Sequence, residues 1–109
     1  MIVVLPQIIA KSFSAVTIYP FIFLKNDKHK TDYVLINHER IHMEQQKELF
    51  WIGFFVWYFV EYFIKLMYYR NSYLAYTQIS FEREAYCYED DLDYNNNRKH
   101  FHFIKYLIR

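Results

Sequence analysis

The sequence has very little cysteine, glycine or proline. Its one cysteine, Cys87, cannot form an internal disulfide, which excludes a secreted cystine scaffold and a zinc ribbon built from several thiolates. One glycine (Gly53) and two prolines (Pro6 and Pro20) provide few residues for tight turns, so a fold rich in β-hairpins is disfavoured. We therefore expect helices to dominate, and a chain of 109 residues is expected to form a single domain, residues 1–109.

A large excess of charge is also missing. The formal net charge is +1, which does not provide the basic surface typical of nucleic-acid binding, so we expect no nucleic-acid partner. The segment Met1–Phe13 lacks a basic region before its apolar run and contains Pro6. We therefore expect no signal peptide and a cytoplasmic location, with membrane association as an alternative.

Aromatic residues, in contrast, are abundant, with 12 Tyr and 11 Phe. Many of them lie in Leu49–Tyr69, which is free of charge only as far as Val60. Glu61 and Lys65 then follow, one helical turn apart, where they can pair. A membrane span needs about 20 apolar residues, so we expect Leu49–Tyr69 to be a core helix. Peripheral membrane contact through this helix, or a span, is the alternative.

The first quarter of the chain contains the candidate strands. Ile2–Leu5 and Ser14–Lys25 are rich in β-branched and aromatic residues, and Pro20 makes the second segment an edge or bent strand. An extended peptide could pair with the edge of Ile18–Leu24. With the helices that follow, the expected fold class is α+β, mostly helical.

Capping residues mark the expected helices. Thr31 is a suitable N-cap for a helix over Asp32–Glu48, with a bend near Gly53 before the aromatic helix. Ser80 is a suitable N-cap for a later helix over Phe81–Tyr94.

The stretch Ile36–Gln46, "INHERIHMEQQ", contains the pattern H-E-x-x-H. On a helix, His38 and His42 project from one face and can bind one Zn²⁺ at about 2.0–2.1 Å. Glu39 is offset by one position and can reach a water beside the metal, as a general base must. The alternative is a pair of surface histidines on an amphipathic helix.

A catalytic zinc needs a third protein ligand. The metzincin solution would require Gly and His where this chain has Gln45 and Glu48, so that class is excluded. The later segment "SFEREAYCYEDD" offers Glu82, with Ala85 on the same helical face allowing close approach of two helices. Glu82 is favoured over Glu84 as the ligand for this reason.

Together, "NHERIHMEQQ" and "ISFEREAY" resemble the gluzincin metallopeptidases, in particular very short bacterial minigluzincin-like proteins. They are also similar to the zinc domains of membrane-bound antibiotic-sensor and CAAX-type proteases, where H-E-x-x-H-x-x-Q and E-x-x-A-D recur. The resemblance covers Tyr33–Asp91 and implies a minimal zincin-like fold with a small N-terminal sheet, an HExxH active-site helix and a glutamate helix. It implies three zinc ligands and one catalytic base, which are His38, His42 and Glu82, and Glu39.

This chain departs from the family pattern at Tyr86, where an Asp usually stands. We expect Tyr86 or Asp90 to orient a ligand histidine from behind. The expected function is zinc-dependent hydrolysis of a peptide or protein substrate, with an oxyanion donor among Tyr73, Tyr76, His100 and His102. The alternatives are a zinc-stabilised, non-catalytic binding module or pseudo-peptidase, and a membrane-peripheral helical protein without metal.

Overall fold

The computed structural model describes residues 2–4 and 15–107. Pro6 and the greater part of the N-terminal segment, with the ends of the two expected strands at Leu5 and Ser14, lie outside the described residues. The strands are Ile2–Val4 (β1), Ala15–Ile18 (β2) and Phe21–Leu24 (β3). The α-helices are Tyr33–Glu48 (α1), Ile52–Tyr69 (α2), Ser72–Thr77 (α3), Ser80–Tyr88 (α4) and Tyr94–Asn97 (α5), with 3₁₀ helices at Asp27–Thr31 and His102–Tyr106. The α+β, mostly helical class is confirmed.

The sheet has the strand order β1-β3-β2, with β1 parallel and β2 antiparallel to β3. The expected single bent strand is therefore wrong, because the chain reverses at Tyr19-Pro20 and forms a hairpin. Pro20 has no N–H to donate to a ladder, which suits it to the turn. Because β3 pairs on both sides, a peptide cannot pair with Phe21–Leu24, and β2 is the edge of the hairpin.

Part of the β2 edge is covered by a side chain of α1. The Gln46 side-chain nitrogen donates to the Thr17 carbonyl oxygen at 2.7 Å. The backbone N–H of Tyr19 donates to the Gln46 side-chain oxygen at 2.6 Å. This buried amide fixes α1 against the sheet and holds Thr17 beside the HExxH residues.

Helix α1 begins one residue later than expected, since Thr31 belongs to the preceding 3₁₀ helix. Asp32 is the N-cap, and its carboxylate accepts a hydrogen bond from the Leu35 N–H at 3.1 Å. The break before α2 lies at Phe50 and Trp51, with φ angles of 54° and 66°, rather than at Gly53 inside α2.

Among the helices of residues 2–4 and 15–107, none is by itself long and apolar enough to cross a membrane. Only α1 and α2 taken together meet the requirements of length and composition, and the two are bent by 110° at the break between them.

Helix α4 starts at Ser80, which is its first residue and not its N-cap. Instead, the Glu61 carboxylate of α2 caps this helix, because it accepts hydrogen bonds from the Ser80 N–H and hydroxyl, both at 2.6 Å. A negative charge at this helix end is favourable. Lys65 pairs with Glu61 at 3.1 Å, as the sequence predicts. The helix ends at Tyr88, earlier than predicted.

Two apolar clusters and one close helix contact position the site. One cluster joins α2, α4 and the C-terminal 3₁₀ helix, and consists of Phe54, Ile79, Phe81 and Phe103. A second cluster lies under the sheet and consists of Ala15, Ile22 and Leu24. Ala85 of α4 is fully buried and clusters with Ile41 of α1, which agrees with the predicted role of this small residue.

Helix α2 differs from the expected core helix. Only Phe54 and Glu61 of its residues are buried, and many of its large apolar side chains face outward. It covers the core with one face only.

Candidate metal centre

Three predicted ligands converge between α1 and α4. The Glu82 Oε1 atom lies 3.1 Å from the Nε2 atom of His38 and 3.1 Å from that of His42. The two Nε2 atoms are 3.2 Å apart. All three side chains are buried. The helical repeat brings the two histidines to one face, and the α1–α4 crossing brings the glutamate to them.

These separations fit a small metal ion. Ligands at about 2.0–2.1 Å in a tetrahedron lie roughly 3.3–3.4 Å from one another, close to the 3.1–3.2 Å observed. Two imidazole nitrogens and one carboxylate oxygen are also a donor set that Zn²⁺ accepts.

The far side of each imidazole ring has its own partner. The His38 Nδ1 atom is 2.8 Å from Glu89 Oε1, and the His42 Nδ1 atom is 2.8 Å from Gln45 Oε1. The Gln45 nitrogen donates to the Phe81 carbonyl oxygen and to a carboxylate of α4, so its oxygen must face His42. Each Nδ1–H therefore donates outward, which leaves Nε2 for the centre.

A centre of this kind requires a cation. The lone pairs of two neutral Nε2 atoms and one carboxylate oxygen would repel at this distance unless a positive charge lay among them. Without a metal, a proton takes that place. Burial lowers the pKa of His42, but the Glu82 carboxylate outweighs it and raises that pKa to about 9. Burial likewise raises the pKa of Glu82, but His42 and His38 hold it well below its usual range.

Glu39 borders the same centre. A carboxylate oxygen of Glu39 lies within 4.8 Å of ring nitrogens of His38 and His42. The Thr17 hydroxyl donates to Glu39 Oε1 at 2.7 Å and also approaches the Glu39 carbonyl oxygen at 3.1 Å. Because Glu82 is the closer carboxylate and Glu39 is held from the sheet, the two glutamates have separate positions suited to ligand and base.

A cavity of about 260 Å³ opens beside Glu39. Its polar wall includes Glu39, His42 and Glu82, and its apolar wall comes mainly from β2 and α2. A neighbouring cavity of about 550 Å³ has five tyrosines in its lining, Tyr58, Tyr62, Tyr73, Tyr76 and Tyr86. Tyr58, Phe59 and Tyr76 line both cavities.

Two tyrosines, Tyr58 and Tyr76, line the first cavity. The Tyr58 hydroxyl donates to Glu82 Oε2 at 2.7 Å. Burial and then the charge of Glu82 raise the pKa of both Tyr58 and Tyr76, so both remain protonated. Tyr76 was among the predicted donors. Tyr58 was not among them. It stands four positions after Phe54, one helical turn on the inner face of α2, and this spacing could have identified it.

The other predicted oxyanion donors lie elsewhere. Tyr73 lines only the larger cavity. The His100 side chain is 91% exposed and lies 3.4 Å from Glu48. The His102 ring packs near Tyr88, with 5.7 Å between ring centroids. Neither histidine lines the cavity beside Glu39, so the prediction of His100 and His102 as oxyanion donors is wrong.

The residues behind the ligands are partly those predicted. The Tyr86 ring packs against His38 at 4.5 Å between centroids. Asp90 is exposed, and Glu89 instead bonds to His38. Glu89 stands seven positions after Glu82, which is the same helical face two turns on, and this spacing could have identified it.

Glu84, the less favoured ligand candidate, is fully buried. The Arg98 Nε–H donates to its Oε2 atom at 2.6 Å, and so does the Tyr94 hydroxyl. The Gln45 side-chain nitrogen donates to the other oxygen at 2.9 Å. Glu84 therefore supports the site through Gln45, while Glu82 faces it.

Comparison of the chain with protein-family models, curated proteins and solved structures gives no match. The function is therefore inferred from the geometry and chemistry of these side chains.

Proposed function

We propose that this chain is a zinc-dependent peptidase of the gluzincin type, with a minimal zincin-like fold. His38, His42 and Glu82 would hold Zn²⁺, and Glu39 would act as the base. The observation that carries the proposal is the mutual approach of three donor atoms to within 3.1–3.2 Å, beside a cavity that also contains Glu39.

When bound, Zn²⁺ supplies Lewis-acid polarisation of the scissile carbonyl and lowers the pKa of a water towards about 7. Glu39 accepts the proton of the attacking water and passes it to the leaving amine, as the amide C–N bond breaks and a C–O bond forms. The Thr17 hydroxyl fixes one Glu39 oxygen, which leaves the other oxygen available for the proton. Tyr76 donates to the developing oxyanion, while the Tyr58 hydroxyl donates to Glu82 and holds that carboxylate in place.

The apolar lining of the cavity favours a peptide with a large apolar side chain. Phe54, Phe55 and Phe59 of α2 and Val16 of β2 supply apolar walls. A volume of about 260 Å³ is enough for one side chain rather than a whole folded partner.

Replacing Glu82 with Ala is expected to lower zinc affinity by more than about 100-fold, because loss of a direct ligand exceeds the 10–100-fold effect typical of residues behind the ligands. Elemental analysis and competition with a chromogenic chelator measure this affinity. Asp90→Ala removes an exposed acid just beyond α4 and should leave zinc binding unchanged. Stoichiometric, equally tight zinc in Glu82→Ala would contradict the ligand assignment.

At pH 7, His42 is expected to release about one proton per zinc ion bound, because the pKa of His42 is raised to about 9 in the metal-free chain. Below that pKa the apparent affinity should rise about tenfold for each unit of increasing pH, and above it the contribution of His42 to the release should vanish. Calorimetry in two buffers with different ionisation enthalpies measures the released protons. Zinc binding without release of a proton would show that His42 is already neutral before the ion binds.

Activity on a broad peptide library completes the test. Hydrolysis that depends on added zinc supports the peptidase. Stoichiometric zinc without hydrolysis would favour the zinc-stabilised binding module.

A further inference from the structure

The outward face of α2 carries a continuous row of apolar side chains, which we call the outer stripe. Its members are each 54–73% exposed, and each lies three or four residues from another member: Ile52, Val56, Phe59, Val60, Phe63 and Met67. This spacing places them on one face of the helix. Exposed apolar rows of this length mark surfaces that contact a partner or a membrane.

The two charged residues of α2 face the opposite way. Glu61 is buried against Ser80, and the Lys65 ammonium donates to the Gln78 carbonyl oxygen at 2.6 Å and to that of Leu107 at 3.2 Å. Helix α2 thus turns its charges inward and its apolar side chains outward. This is the reverse of a helix that faces water.

The two ends of the outer stripe have the chemistry of a lipid headgroup layer. Phe50 and Trp51 precede it, and the Phe50 side chain is 89% exposed. Tyr68, which is 78% exposed, and Arg70 follow it. Trp and Tyr are enriched at the membrane–water interface, and Arg binds lipid phosphates.

Charge favours lipid over a second copy of the chain. Arg70 is the exposed residue that directly follows α2, three positions after Met67 at the end of the outer stripe. The stripe offers no acidic side chain, since the one acid of α2, Glu61, is buried. A second copy packed through α2 would therefore offer Arg70 no acidic partner within its own stripe in either orientation, whereas an anionic lipid surface provides the complementary charge.

We propose that the outer stripe docks on an anionic lipid bilayer, with α2 lying in the plane of the interface. Phe59 belongs both to the stripe and to the wall of the cavity beside Glu39. The candidate metal centre would therefore open next to the lipid. If the proposed peptidase function holds, on which this last step rests, the substrate is a peptide segment held at a membrane surface.

Flotation of the metal-free and the zinc-loaded full chain with vesicles tests the docking. One set of vesicles is phosphatidylcholine alone, and the other is equal parts phosphatidylcholine and phosphatidylglycerol. We expect the chain to float with the anionic set and more weakly with the neutral set. Phe63→Glu, outside both cavities, is expected to lower the vesicle partition coefficient by at least about tenfold. Leu92→Glu, an apolar residue with the same exposure of 58%, should not.

Circular dichroism of both variants confirms that they are folded, and light scattering gives their oligomeric state. A chain that stays unbound to anionic vesicles overturns the docking proposal. A dimer that Phe63→Glu dissociates also overturns it, by assigning the stripe to a second copy. Flotation of the metal-free chain requires neither zinc nor hydrolysis, so its failure is distinguishable from failure of the peptidase proposal.

Discussion

Glu39→Gln is expected to keep one zinc ion per chain and to lower the rate of peptide hydrolysis by about 10³-fold. Loss of a positioned general base typically reduces a rate by about 10²–10⁴-fold. The replacement preserves the shape of the side chain, and its amide oxygen can still accept from the Thr17 hydroxyl. Zinc content by elemental analysis, beside initial rates on a cleaved peptide, checks both halves of the expectation.

Glu44→Gln is the matched control. Glu44 lies on the same helix, is partly exposed and pairs with Lys47 at 3.0 Å, so its change should alter neither zinc content nor rate. If Glu39→Gln hydrolyses peptide at the wild-type rate, Glu39 is not the base. If it loses zinc, Glu39 belongs to the metal set instead.

Arg98→Met is expected to lower the free energy of unfolding by about 3–5 kcal/mol, the usual effect of removing one member of a buried ion pair. The Arg98 side chain is 4% exposed and donates to two buried carboxylates. Its Nη1–H donates to Glu48 Oε2 at 2.7 Å, and its Nε–H donates to Glu84 Oε2 at 2.6 Å. Without Arg98, both carboxylates remain buried and lose their cation. Denaturant unfolding at pH 7 measures the change.

The pH dependence of this effect has a definite sign. Burial raises the pKa of Glu84, but Arg98, with Tyr94 and Gln45, lowers it overall. A lowered pKa stabilises the fold above the unfolded value of about 4.5 and loses that contribution as the pH falls. The difference between wild type and Arg98→Met should therefore be largest near neutral pH and shrink in acid. Lys99→Met, at an exposed neighbour, should change stability little at any pH. An equal loss for both variants would contradict this account.

Local signals in the sequence are sufficient to predict the main helices. The HExxH helix required only a helical repeat that brings His38 and His42 to one face. Ala85 and the spacing around it pointed to Glu82, which contacts both histidines in the structure. Each of these inferences depends on residues a few positions apart, where helical geometry is fixed.

The features that sequence reasoning missed depend on contacts between distant parts of the chain. Thr17 lies 22 positions from the carboxylate that it holds. Glu61 caps α4 from another helix, so Ser80 does not need to cap its own helix. The orientation of α2 was missed for a similar reason. Its composition is equally compatible with a buried helix, and only the inward contacts of Glu61 and Lys65 determine which face is outside.

The Gln46 amide on the outer edge of β2 limits how a polypeptide could lie there. Its oxygen accepts a hydrogen bond from the Tyr19 N–H, and its nitrogen donates one to the Thr17 carbonyl oxygen. The peptide group of a neighbouring strand would make the same two bonds. The edge of β2 is thus blocked at its Tyr19 end, and an incoming main chain can align only with the Ala15 end, which lines the cavity beside Glu39. Recognition of the backbone would then extend over few residues, and the fit of a single side chain would contribute most of the selectivity.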